Sequence, residues 1–215
     1  MSATVPTITH VRRMLELAPL GLVRGKGIPE PGKMCIEALA CFVLGEPHSD
    51  EPSCVHAVDR GWKIATNDGL GWPDDVTRGK ALARVGAMQL GTAGMDRSPW
   101  LREFARQRIM RVLPMLLRAH AGRYPAKADE CAALVARCED GGSREAALEV
   151  RKFFRAAAAD ADADAAAYAA AAAYAAADAY AARLAVRLEC IACAEAAYEI
   201  TGTPGVTLLR ELEGR

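Results

Sequence analysis

The chain has few aromatic residues: three Trp, five Tyr and four Phe in 215. Rings are the largest fillers available to a core. A core built here must rest on smaller side chains and on close approach of helices. Charge of either sign is not in excess; the formal net charge is zero, which removes the electrostatic reason to expect nucleic acid or an anionic membrane as partner. No run of about 18 large apolar residues occurs, which predicts no transmembrane span. The segment Met1–Thr9 has no basic stretch followed by an apolar core, which predicts no secretory signal. Also missing are the G-x-x-x-x-G-K-[ST] phosphate loop, a G-x-G-x-x-G after a strand, G-x-S-x-G and H-E-x-x-H. Those absences tell against the common nucleotide enzymes and hydrolases.

Cysteine is present in an odd number, seven: Cys35, Cys41, Cys54, Cys131, Cys138, Cys190 and Cys193. Several sit among alanines in helical patterns. Free thiols in a reducing cytoplasm are expected, rather than a secreted disulfide framework.

No segment alternates in the manner of a strand, and the fold class expected is all-α: a multi-helix bundle with a long alanine-rich C-terminal helix or helix pair. One domain over 1–215 is the default at this length. Helices are predicted over Thr9–Leu17, Lys33–Leu44 (stopped by Gly45) and Cys54–Thr66 (capped by Ser53). A fourth starts near Pro73, with Asp74 and Asp75 at its positive end, and runs to Leu90. A fifth follows Ser98 as cap and Pro99 as first helical residue, kinks at Pro114 and reaches His120. A sixth lies between Pro125 and Gly141. Ser143 caps the next.

From Arg144 to Glu199 there is neither proline nor glycine. Unbroken, that helix would span roughly 80 Å, too long for one compact domain. Asp160, Asp162 and Asp164 are its least helical part, so a break is expected there. Between Ala156 and Ala182, 20 of 27 residues are alanine, the best helix former. Tyr168, Tyr174 and Tyr180 recur every six residues and point about 120° apart, which suits a helix central to a bundle. A short amphipathic tail with Leu208, Leu209 and Leu212 closes the chain.

The densest chemistry lies between Gly32 and His56. Cys35 and Glu37 open the second helix, His48 and Asp50 sit in the following loop, and Cys54 and His56 open the third helix. A helix–loop–helix hairpin could bring them together. Thiolate, imidazole and carboxylate are the donors that zinc or iron takes, so Cys35, Glu37, Asp50 and Cys54 form a candidate metal set. A cysteine nucleophile with His48 or His56 as base is the alternative, with the Cys54 thiol acidified by the helix dipole if exposed. Buried thiols and a capping Asp50 are the structural alternative. No specific cofactor is indicated. Cys190 and Cys193 form a C-x-x-C inside a helix, and Cys131 and Cys138 share a helix face; both pairs read as core. Trp100 and Phe104, four apart, are expected to face the core. Arg97, Arg102, Arg106, Arg108, Arg111 and Arg118, with Arg123, form the one basic stretch, opposed by Glu103 alone. It is either a solvated, salt-bridged face or a patch for nucleotide, nucleic acid or an acidic partner.

Several segments together resemble a family of uncharacterised bacterial and phage proteins. They are Gly32-Lys33-Met34-Cys35-Ile36-Glu37-Ala38, Gly45-Glu46-Pro47, Asp50 and Pro52-Ser53-Cys54-Val55. Further along come Lys63-Ile64, Asn67-Asp68, Arg78-Gly79-Lys80-Ala81-Leu82, Gln89-Leu90-Gly91 and Val112-Leu113-Pro114-Met115-Leu116-Leu117-Arg118. The alanine- and tyrosine-rich helix is similar to those of some immunity proteins of polymorphic toxin systems. His48 and His56 fall outside the family pattern. The absent catalytic motifs, the all-helical build and this immunity-type resemblance together lead to the expectation of a non-enzymatic interaction protein with a protein partner or a second copy of itself. Cysteine usage adds a cytoplasmic location, and composition predicts no membrane and disfavours nucleic acid. A metal- or thiol-dependent enzyme at the early hairpin and a nucleotide or nucleic-acid binder at the basic stretch are the other expectations.

Overall fold

The computed structural model describes residues 3–69, 71–164 and 172–214, with side chains described outside 157–183. Among them the protein is all-α: nine helices and no strand, with one isolated antiparallel bridge between Gly27 and Met34. In chain order they are α1 Ile8–Leu17, α2 Ile36–Leu44, α3 Ala57–Asp68, α4 Asp75–Met88, α5 Ser98–Arg123, α6 Ala128–Glu139, α7 Arg144–Asp164, α8 Ala172–Thr201 and α9 Pro204–Leu212. No helix of the described residues is long and apolar enough to cross a membrane.

The chain forms two compact units, Met1–Leu101 with Ala194–Arg215, and Arg102–Cys193. In the first, α1 packs on α2, α4 and α9, and α2 packs on α3 and α4. Val11 and Met14 of α1, Ile36 and Leu39 of α2, Leu82, Val85 and Met88 of α4, and Val206 and Leu209 of α9 make its apolar core. The C-terminal tail is therefore a core element. Thr203 caps it by accepting from Val206 N, and its hydroxyl donates to Met88 O at 2.5 Å. In the second unit α6 packs on α7, and Leu117, Cys131, Leu134, Cys138, Val150 and Phe153 interlock. The core placement expected for Cys131 and Cys138 is what the structure has. Trp100 and Phe104 are likewise buried.

Several helix starts differ from the sequence expectation. Helix α2 begins at Ile36, because Cys35 is its cap, its Sγ accepting from Ala38 N at 3.4 Å. Helix α3 is capped by His56, whose Nδ1 accepts from Val58 N at 3.1 Å, and not by Ser53. Ser53 is drawn away because its hydroxyl and amide both donate to the Glu46 carboxylate. Asp74 caps α4, which therefore starts at Asp75. Asp96 rather than Ser98 accepts the first amide of α5. Ser143 does cap α7, accepting from Ala146 N at 3.1 Å. Of the aspartates at which a break is expected, Asp160 and Asp162 lie within α7 and Asp164 is its last described residue. The chain just after Asp164 and the disposition of Tyr168, Tyr174 and Tyr180 lie outside the described residues.

Close backbone approach in the first unit depends on glycine as well as alanine. A Cβ on Gly79 of α4 would sit 2.0 Å from Ala18 O, in the short 310 turn after α1, and one on Gly205 would sit 2.3 Å from Ala87 O. Glycine inside a helix costs about 1 kcal/mol against alanine; here it is the residue that lets α4 lie against the turn. Gly79→Ala should therefore destabilise by about 1–3 kcal/mol through overpacking. Gly61→Ala, at an α3 site with nothing within 4 Å, should instead be neutral or stabilising by up to about 1 kcal/mol. Urea midpoints of the two variants check this, and equal midpoints would refute the close-approach reading.

Candidate functional site

Helix α2 reads IEALACFVL, and eight of its nine residues are buried. A helix apolar on all sides is a core helix, so its lone charge, Glu37, is carried inside. The answering charge comes from α3. That helix buries only Asp59, Lys63 and Asn67, spaced four apart, so its inward stripe is polar. Glu37 Oε1 lies 2.8 Å from Lys63 Nζ, and both side chains are fully buried. Gln89, at the end of α4, donates Nε2 to Glu37 Oε2 at 3.3 Å. Lys63 Nζ also donates to Asp59 O at 3.3 Å.

One turn earlier, Asp59 receives a two-pronged guanidinium. Arg97 donates Nε to Oδ2 and Nη2 to Oδ1, each at 2.8 Å. Tyr198 of α8 donates its hydroxyl to Asp59 Oδ1. The guanidinium lies 5.2 Å from the Trp100 ring centroid and 5.4 Å from that of Tyr198. Trp100 in turn packs on Tyr198 at 5.1 Å and edge-on to Trp62 at 6.3 Å. The result is two buried charge clusters joined through the Asp59 carbonyl. Every member answers another, and rings cover the guanidinium.

Burial raises the Glu37 carboxyl, with Lys63 and Gln89 opposing; burial lowers the Lys63 ammonium, with Glu37 opposing. Burial, with the neighbouring Asp59 charge, holds the Tyr198 hydroxyl far above its ordinary value, so it is a fixed donor.

The five candidate residues are engaged with different partners, although Cys35 lies within the field of Glu37 and Asp50 and Cys54 within that of Glu37. Glu37 faces Lys63. Cys35 is buried at its cap position, and burial pushes its thiol up, with Glu37 and Asp50 adding to the effect. His48 reaches the other way, its Nε2 3.0 Å from the accepting Gly27 carbonyl. Asp50 is half-buried in the loop and caps nothing, since the cap of α3 is His56. Cys54 precedes α3 by three residues and is 1% exposed. Burial raises its thiol against a partial offset from the Gly91 amide, so the dipole-acidified nucleophile expected there does not form. Among the described residues no three His, Cys, Asp or Glu side chains are grouped to hold a metal ion.

Cys54 does border an open groove of about 450 Å³, with Val5, Pro6, Pro204 and Leu208 among its other walls. The hydroxyls there are already engaged: Thr4 donates to Glu46 at 2.7 Å and Thr207 to Thr203 O at 3.3 Å.

The basic stretch is divided rather than pooled. Arg97 is buried on Asp59. Arg106 forks onto Glu103 at 2.7 and 2.9 Å, Arg111 meets Glu189 at 2.5 Å and Arg118 meets Glu139 at 2.5 Å. Arg108 lies over Phe104 at 5.5 Å, and Arg102 points to solvent. Most of the charge is thus answered within the protein.

Sequence reasoning missed Asp59, Lys63, Gln89 and Tyr198 as parts of one constellation. The available signals were the single acid in the apolar helix α2 and the Asp59-x3-Lys63-x3-Asn67 spacing.

Two measurements test this geometry. Lys63→Met strands a buried carboxylate and should cost about 3–5 kcal/mol, while the double variant Glu37→Leu/Lys63→Met should recover most of that loss. Additive losses in urea unfolding would show that the pair is not coupled. Alkylation of the native protein near pH 8 should mark Cys190, the one half-exposed thiol, well before Cys35 or Cys54, whose labelling should await unfolding. Fast labelling of Cys54 would restore a reactive-thiol reading.

No protein-family model, curated protein or solved structure matches this chain.

Proposed function

We propose that the protein is a non-catalytic helical interaction protein, acting through its outer helical surfaces on a protein partner. The observation that carries this reading is the internal pairing of Glu37 with Lys63 and of Asp59 with Arg97 and Tyr198. These acids, bases and hydroxyl answer one another in the interior. A catalytic acid or base must reach a reacting atom, and these groups are turned away from solvent. The buried, proton-retaining thiols of Cys35 and Cys54 support the same conclusion. So does the groove beside Cys54, whose hydroxyls already have partners.

The resemblance to bacterial and phage proteins points to a role in conflict between cells and phages, of the immunity type. Seven free thiols suit a cytoplasmic location. Affinity capture of the intact chain from a bacterial lysate, followed by native mass spectrometry, should return one protein at a fixed stoichiometry. Recovery of the chain alone would overturn the reading. So would a turnover activity that is lost in Cys35→Ser or Cys54→Ser variants that remain folded.

A further inference from the structure

Helix α7 carries a second, quite different set of arginines. Its buried face holds Ala146, Val150 and Phe153. At 100° per residue, Arg144, Leu148, Arg151 and Arg155 fall within about 60° of one another on the opposite side, along about 16 Å of helix. All four are exposed, Leu148 to 42%. Lys152 flanks the stripe and is exposed too. Three arginines of α5 are held by carboxylates, whereas none of Arg144, Arg151, Lys152 and Arg155 has a carboxylate partner among the described residues.

Local physics disfavours the arrangement. Arg151 and Arg155 are like charges one turn apart, and Arg144 stands at the positive end of the helix dipole. A cationic row with an exposed leucine in its middle is complementary to an anionic row with an apolar centre.

We infer that the Arg144–Leu148–Arg151–Arg155 face of α7 is the docking surface for an acidic amphipathic segment of a partner protein. This rests on the interaction reading above and names the partner's chemistry. Nucleic acid is the poorer fit. Leu148 has no counterpart in a phosphate backbone, and no aromatic ring lies on the stripe for a base to stack on. A partner helix running antiparallel would present Glu-x3-Glu-x2-Leu-x3-Glu.

A fluorescent, alanine-based peptide with that spacing, titrated against the full chain by anisotropy, is the test. Its glutamine-for-glutamate counterpart and a short single-stranded DNA serve as competing probes. The acidic peptide should bind, and more weakly as salt rises from about 50 to about 300 mM. Arg151→Gln/Arg155→Gln should weaken it roughly tenfold, and Leu148→Gln should weaken it by a few-fold. Neither variant should lower the melting temperature, since neither touches the buried face. Equal affinity for the glutamine peptide, tighter binding of DNA, unchanged affinity in the variants, or no binding at all would each overturn the inference. A captured partner that survives Arg151→Gln/Arg155→Gln would leave the interaction reading intact and remove only this face.

Discussion

The first compact unit hangs on one buried carboxylate. Asp59 is fully buried and holds Arg97, immediately before α5, and Tyr198, in the last turns of α8. Taking a carboxylate out of water costs several kcal/mol unless charge and hydrogen bonds replace the solvent. Here a planar guanidinium grips both oxygens and a phenol adds a third donor. That demand is directional. Apolar packing would tolerate a slide of one helix past another, whereas a two-pronged Arg–Asp contact would not. Glu37 and Lys63 impose the same demand one turn along, between α2 and α3.

Around those clusters the remaining contacts close by small-residue approach and by loop anchoring. Gly79 and Gly205 bring α4 against the turn after α1 and α9 against the end of α4. The glycine-rich loop after α1 is held by side chains from α3 and α4. Arg78 donates to Leu22 O at 2.6 Å, Asn67 to Val23 O at 2.7 Å, and Gly25 N donates to Asp68 Oδ1 at 3.0 Å. Leu22 N also donates to Asp75 O at 3.0 Å. A segment without regular structure thereby has backbone partners, which buried backbone requires. Glu37, Lys63, Asn67, Arg78 and Gln89 are all buried polar groups of this unit.

The helical class was legible because its signals are local. Gly45 in the left-handed region ends α2, and an amphipathic repeat marks α9. Cap assignment was less legible, since a capping side chain can be claimed by a stronger partner, as Glu46 claims Ser53. The partners of the candidate residues were hidden for a related reason. Cys35, Glu37, His48, Asp50 and Cys54 are close in sequence but are turned to different neighbours. Asp59, Arg97 and Tyr198 meet across 139 positions of chain. Arg97 read as the head of a basic stretch, the default for a charge whose partner is far away in sequence.

By itself the sequence determined which segments are helical and that thiols and small residues would fill much of the interior. Propensity, glycine punctuation and apolar spacing act within a few residues and need no knowledge of the rest. Only the tertiary structure decided which charges are inside. Whether a carboxylate is solvated or buried depends on whether a distant guanidinium, amine or hydroxyl arrives to replace its water. For Asp59 those groups are Arg97 and Tyr198; for the arginines of α7, the described residues supply none.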